Sequence, residues 1–161
     1  MLELVATSTG VVACHASAGP LDALTIDRAL PMRVATDELL LLCEPDEAGA
    51  VERDATERLD PGATGAVVLD ATDGWVTRSL IGPEARTAFA RLSSLRLPEP
   101  GLERRWIQGE VVGLPARVVV AEARVDVLVA SMWEAFLAAR LRERCADLIA
   151  AERTAAWERP E

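Results

Sequence analysis

Asp70 and Asp73 flank the run Asp70-Ala71-Thr72-Asp73-Gly74 and are the best-spaced carboxylate pair in the chain. Paired carboxylates can do acid–base work when a cleft separates their proton affinities. Short acids beside glycine equally build a tight turn between strands, and the turn is the stronger reading here. His15 is the sole histidine, and Cys14 precedes it directly. Neighbours on a strand point to opposite faces, so this pair lacks the geometry of a nucleophile and its base. Gly82-Pro83-Glu84 follows an apolar run in the manner of a phosphate turn. Its proline removes a donor and its glutamate repels anions, so it reads as a helix start. The anion-binding candidates that remain are Arg78, Arg117 and Arg124, with Arg86 beside them. Arginine suits a carboxylate-bearing ligand, although ordinary ion pairing explains the same residues.

Composition removes most other chemistry. All 17 basic residues are Arg, and Lys, Tyr and Asn are absent. Lysine nucleophiles, Schiff bases and phosphate-loop lysines are therefore excluded, as are multi-histidine metal sites. No catalytic set and no metal site is expected. The net charge is −9, and residues 1–73 carry 14 acids against 4 Arg. That balance opposes a nucleic-acid partner, with Arg104-Arg105-Trp106 the nearest approach to a basic-aromatic patch. Cys14, Cys43 and Cys145 form no C-x-x-C pair and read as reduced small hydrophobes in a cytoplasmic protein. Val11–Cys14 loosely matches a lipoprotein cleavage box, but Glu3 and the absence of a basic start oppose a leader. No apolar run approaches membrane-span length, so no membrane partner is expected.

These residues need elements to hold them. Residues 1–161 read as a single domain, with 1–30 poorly assigned apart from short strands at Leu4–Ala6 and Val11–Ala13 and a Gly19-Pro20 turn. Met32–Thr36 and the continuous apolar run Leu39–Cys43 read as strands, the second covered on both faces. A helix opens at Pro45 and ends at Asp60-Pro61-Gly62. Ala66–Leu69 and the alternating Trp75–Ile81 are strands, followed by a helix from Pro83 with Ala85, Phe89 and Leu92 on one face. Trp106–Val112 and Ala116–Ala121 form a hairpin joined through Gly113-Leu114-Pro115, and Val125–Ala130 adds a strand. Ser131 with Glu134 has capping-box spacing. Trp133, Phe136, Leu137, Leu141, Cys145, Leu148 and Ile149 then define a buried helical stripe. Helix is expected to continue to about Trp157. Residues 150–161 read as a C-terminal tail, dispensable for folding, with Trp157 as the candidate partner contact. The element order implies α+β: a mostly antiparallel sheet with helices on one or both faces.

The second half carries a family likeness. Val67-Val68-Leu69-Asp70-Ala71-Thr72-Asp73-Gly74, then Ser79-Leu80-Ile81-Gly82-Pro83-Glu84-Ala85, resembles the "D-x-T-D-G … L-x-G-P-x-A" stretch of sarcosine oxidase gamma subunits and of the glycine cleavage T-protein. Gln108-Gly109 with Gly113-Leu114-Pro115-Ala116 resembles the family's hairpin. Asp126–Ser131 with Trp133–Leu141 resembles its last strand and closing helix, and Asp37–Leu42 its earlier "D-E-W-L-L" strand. The likeness covers about residues 30–145. The T-protein class places a catalytic aspartate in an Asn-containing segment, and this chain has no Asn. Folate-dependent relatives that maintain iron–sulfur clusters carry K-G-C-Y-x-G-Q-E, and this chain lacks Lys and Tyr. The resemblance implies a folate-binding-like fold, akin to the T-protein N-domain. It further implies a non-catalytic gamma-like subunit that carries no flavin or nicotinamide and docks on larger flavoprotein chains. The alternatives are a stand-alone binder of folate or another pteridine-like molecule, and a homodimer formed through the C-terminal segment.

Overall fold

The computed structural model describes residues 1–99 and 105–160. The chain opens with strands β1 (Leu2–Ser8) and β2 (Gly10–His15), helix α1 (Ala18–Ala23), and strands β3 (Leu30–Ala35) and β4 (Glu38–Cys43). Helices α2 (Ala48–Leu59) and α3 (Pro61–Thr64) lead to strands β5 (Val67–Asp70) and β6 (Trp75–Ile81), then helix α4 (Ala85–Ala90). Strands β7 (Trp106–Val111), β8 (Leu114–Ala121) and β9 (Arg124–Ala130) precede helix α5 (Glu134–Cys145) and strand β10 (Ile149–Ala156). The class is α+β with mostly antiparallel pairing. Where one domain is expected, the chain divides into two compact units. Met1–Thr7 with Gly74–Ala155 makes most of one, and Ser8–Asp73 with Ala156–Arg159 makes the other.

The first unit holds a six-stranded sheet in the order β10-β1-β6-β9-β8-β7. One face presents Leu4, Leu80, Val118, Val120, Val125, Val127 and Val129, which cluster with Ala85, Ala88 and Phe89 of α4 and Leu137, Leu141 and Cys145 of α5. The valine-rich strands alternate inward and outward, so burial of this face sets their register. Gly82 has a φ of 123°. A Cβ there would strike the Met1 carbonyl, so only glycine carries the chain from β6 to α4. That helix begins at Ala85, two residues beyond the expected Pro83. The β7–β8 turn is Val112–Gly113, with φ of 45° and 82°, the left-handed pair a two-residue hairpin requires. Leu114 and Pro115, expected in the connection, are already paired in β8.

The second unit holds a four-stranded sheet in the order β3-β4-β2-β5. Leu39–Cys43 of β4 is buried throughout, as its continuous apolar run predicts. Val12, Cys14, Leu39, Leu41 and Cys43 pack in one cluster with Leu21 of α1 and Val51, Ala55 and Leu59 of α2. These three α2 residues recur every four positions, one helical stripe. Asp60, at φ 45°, stops α2 in the left-handed region and donates its N–H to the Thr56 carbonyl. Gly19-Pro20, expected as a turn, lies inside α1, where a first-turn proline gives up no helical hydrogen bond.

Gly10 of β2 faces Cys43 of β4 at close quarters. A Cβ on Gly10 would sit 2.7 Å from the Cys43 Sγ and 2.8 Å from the Glu44 carbonyl oxygen. Gly10→Ala should therefore cost about 1–3 kcal/mol through overpacking. Urea denaturation checks this; an unchanged midpoint would mean the sheet opens to admit the methyl group.

The C-terminus departs most from expectation. Helix does not run to Trp157: α5 stops at Cys145, and residues 149–156 form an edge strand beside β1. Leu2 donates its N–H to the Leu148 carbonyl, and Arg153 pairs with Glu3 at 2.9 Å. The alanine-rich segment has helical propensity, but the strand edge offered by β1 wins, since tertiary pairing overrides a weak local preference. The Ser131–Glu134 capping box is also absent. Ser131–Trp133 is a short 3-10 turn without side-chain capping, and Glu134 instead holds Arg78 at 2.9 Å.

Candidate functional site

The most buried polar constellation lies on the face of the six-stranded sheet opposite α4 and α5. Pairing sets Val5, Ser79 and Asp126 side by side on β1, β6 and β9. Two-residue periodicity adds Thr7, Thr77 and Arg124 to the same face. Asp126 is 0% exposed, and its Oδ1 accepts from the Ser79 hydroxyl at 2.5 Å and from Arg124 Nε at 2.7 Å. With the Ser79 proton committed to Asp126, the Thr7 hydroxyl 2.7 Å away is the donor to Ser79. A chain of donors thus ends on one buried carboxylate. Arg117 of β8 completes the face, its guanidinium 5.8 Å from the Trp75 ring centre.

The three candidate arginines do not converge. Arg117 and Arg124 share the polar face, whereas Arg78 projects to the helix-covered face and meets Glu134. Arg86 donates to the Pro98 carbonyl at 2.6 Å. Arg78 and Arg124 each already hold a carboxylate of their own chain. Among the described residues, no three His, Cys, Asp or Glu side chains cluster as metal ligands.

The Asp70–Gly74 segment is a turn. Asp70 Oδ1 accepts the Thr72 N–H at 2.9 Å, and the Thr72 hydroxyl accepts the Val11 N–H at 3.1 Å. Asp73 lies in the 3-10 turn Thr72–Gly74. His15 stands at the exposed end of β2 with Nε2 4.0 Å from Glu38, while Cys14 points into the core. Of Arg104-Arg105-Trp106, Arg104 lies outside the described residues, and Arg105 donates to the Pro160 carbonyl at 3.0 Å.

All three thiols are free and buried. Burial pushes the Cys14 and Cys43 thiols up to about 11, and raises Cys145 as well. They stay protonated at neutral pH and make poor nucleophiles. Because the unfolded chain loses these protons near 8.5–9, the native state is favoured below that range. It loses that advantage as pH climbs toward 11. We expect no reaction with a thiol reagent at pH 8 in the native state and three reactive thiols in denaturant. Rapid native labelling would place a thiol at the surface.

A second feature is apolar and exposed. Met132, Trp133 and Phe136 are 79%, 39% and 38% exposed, although the last two were expected on the buried stripe. Their rings meet edge-on at 6.1 Å, and the Arg140 guanidinium lies 5.2 Å from the Phe136 ring centre. Phe136 and Arg140 border a shallow groove of about 380 Å³, with Arg144, Glu110 and the Val112–Gly113 turn on its other walls. Trp157, the expected partner contact, is 0% exposed, so no ring face is free for a partner.

Sequence reasoning passed over Asp126 and Ser79 as site residues. The available signal was polar residues in one phase of β6 and β9, amid valines in the other.

No helix among the described residues is long and apolar enough to cross a membrane. Neither a protein-family model nor a curated protein matches the sequence. Solved structures do. A heterotetrameric sarcosine oxidase from Corynebacterium sp. U-96 contains a chain that superposes with a TM-score of 0.74 at 20% identity, covering 94% of this chain and 86% of that one. The glycine cleavage aminomethyltransferase T from Bartonella henselae matches with a TM-score of 0.61 at 15% identity over 95% of this chain. The chain spans only 47% of that enzyme's length. The chain therefore has the α+β fold found in a sarcosine oxidase chain and in part of the T-protein.

Proposed function

We propose that this chain is a non-catalytic, gamma-like subunit of a heterotetrameric oxidoreductase of the sarcosine oxidase type, working in the cytoplasm with larger flavoprotein chains. One observation carries the reading: the likeness runs nearly whole chain to whole chain, 94% of one against 86% of the other. The match to the T-protein enzyme is weaker and spans only 47% of that enzyme. The buried polar groups agree with the subunit reading. The buried carboxylate is occupied by Ser79 and Arg124, and the thiols are held protonated. On this reading the flavin and the demethylating chemistry belong to the partners.

The test is purification of the tagged chain from its own host. The chain should elute with larger, flavin-absorbing chains, and sarcosine-dependent oxygen uptake should follow that complex and not the isolated chain. A chain that elutes alone and colourless, with the uptake activity elsewhere, overturns the reading. Folate binding by the isolated chain is the competing assignment. Since Arg78 and Arg124 are already neutralised by Glu134 and Asp126, calorimetric titration with a reduced folate should give no saturable heat up to millimolar ligand. Saturable binding would put the folate reading first.

A further inference from the structure

We infer that Met132, Trp133 and Phe136, with the adjoining Arg140–Arg144 groove, form the docking surface for an acidic, aliphatic-anchored segment of a partner chain. This inference rests on the subunit reading. Large side chains exposed together, and rimmed by charge, mark interaction sites more often than they decorate a free surface. Here Met132 stands almost free in water, and two aromatic rings lie beside it at the start of α5. Methionine and aromatic residues are the types enriched at the centres of protein interfaces.

The charge around the patch selects the occupant. The chain is strongly acidic as a whole, at −9. Arg140 and Arg144 nevertheless line the groove, with Glu110 the one acid among its described lining residues. Arg140 is ion-paired to Glu143 at 2.5 Å, and Arg142 on the same helix is held by Glu152 at 2.8 Å. Among the described residues Arg144 has no ion-pair partner, and its backbone carbonyl accepts from Arg91. A carboxylate on the occupant would therefore meet an unspent guanidinium at one end, while an aliphatic side chain covers Met132 and Trp133 at the other. An interface of this type combines an apolar anchor, which sets the off-rate, with a charge that steers encounter and registers the segment.

The experiment compares the isolated chain with the complex purified from its host, using pulsed hydroxyl-radical footprinting read at Met132, Trp133 and Phe136. Oxidation of all three should fall at least fivefold in the complex. Met132→Glu and Arg144→Glu should each weaken assembly at least tenfold while the thermal midpoint of the isolated chain stays constant. Arg153→Glu, on β10 and paired with Glu3 rather than with the patch, should leave assembly unchanged. A complex that forms with Met132 and Trp133 as oxidisable as before overturns the docking surface and leaves the subunit reading standing. If no complex forms, the subunit reading fails and the docking surface falls with it. Self-association of the isolated chain that Met132→Glu abolishes would assign the patch to a second copy and overturn the acidic partner.

Discussion

Asp126→Ala should lower the folding free energy by about 3–5 kcal/mol, the usual cost of breaking a buried pair from one side. The carboxylate is wholly buried in the middle of β9 and accepts from both Ser79 and Arg124. Its removal leaves a hydroxyl and a guanidinium N–H without their acceptor. The Thr7 hydroxyl then loses the order imposed through Ser79. Arg124 retains some access to water, which places the effect toward the lower end of that range. For a chain of this length the loss corresponds to a thermal midpoint roughly 6–20 °C lower. Ser79→Ala removes a hydrogen bond to a charged group and should cost about 1.5–3 kcal/mol. In the double variant the two effects should fall short of their sum, because Ser79 and Asp126 act in one network. A change within about 0.5 kcal/mol for Asp126→Ala would show that water reaches the cluster and that it is not sealed.

Trp157→Ala should be as damaging, at about 3–5 kcal/mol. The ring is completely buried, and the residue's N–H is donated to the Ser8 carbonyl at 2.8 Å. Truncation after Ala151 goes further. It removes Trp157, most of β10, and the partners of Glu3 and Arg142. We expect the truncated chain to fail to fold, or to melt at least 10 °C lower, as read by circular dichroism. The sequence alone suggested the reverse: a helical tail removable without penalty. An unchanged midpoint after truncation would restore that picture and contradict the edge-strand position of residues 149–156.

These two sites also show how far the sequence could be read. Apolar runs such as Leu39–Cys43 and the alternation of Trp75–Ile81 carry their strand identity locally, and both strands form as expected. The family likeness over residues 30–145 added the fold itself. Residues 1–30 yielded only short strands at Leu4–Ala6 and Val11–Ala13, inside β1 and β2, because the full extent of both strands is set by partners far along the chain: Leu80 for Leu4, Leu41 for Val12. Asp126 was visible as an acid among valines, but its burial depends on register. Ser79 lies 47 residues before it and Thr7 another 72 earlier, separations that no local pattern reports. The tail failed for a related reason. Ala150–Ala156 reads as helix when taken alone, and only the free edge of β1 makes it a strand. Trp133 and Phe136 fit a helical stripe by spacing, yet Trp133 ends the 3-10 turn before α5 and both rings stay partly exposed, while Leu137 and Leu141 are buried.

Native mass spectrometry of the chain purified from its own host is the most direct test of the subunit assignment. A defined assembly far above 17.3 kDa is expected, holding this chain together with larger chains, one of which releases flavin on denaturation. A spectrum showing only the 17.3 kDa chain or its homo-oligomers, with no other polypeptide bound, would contradict it.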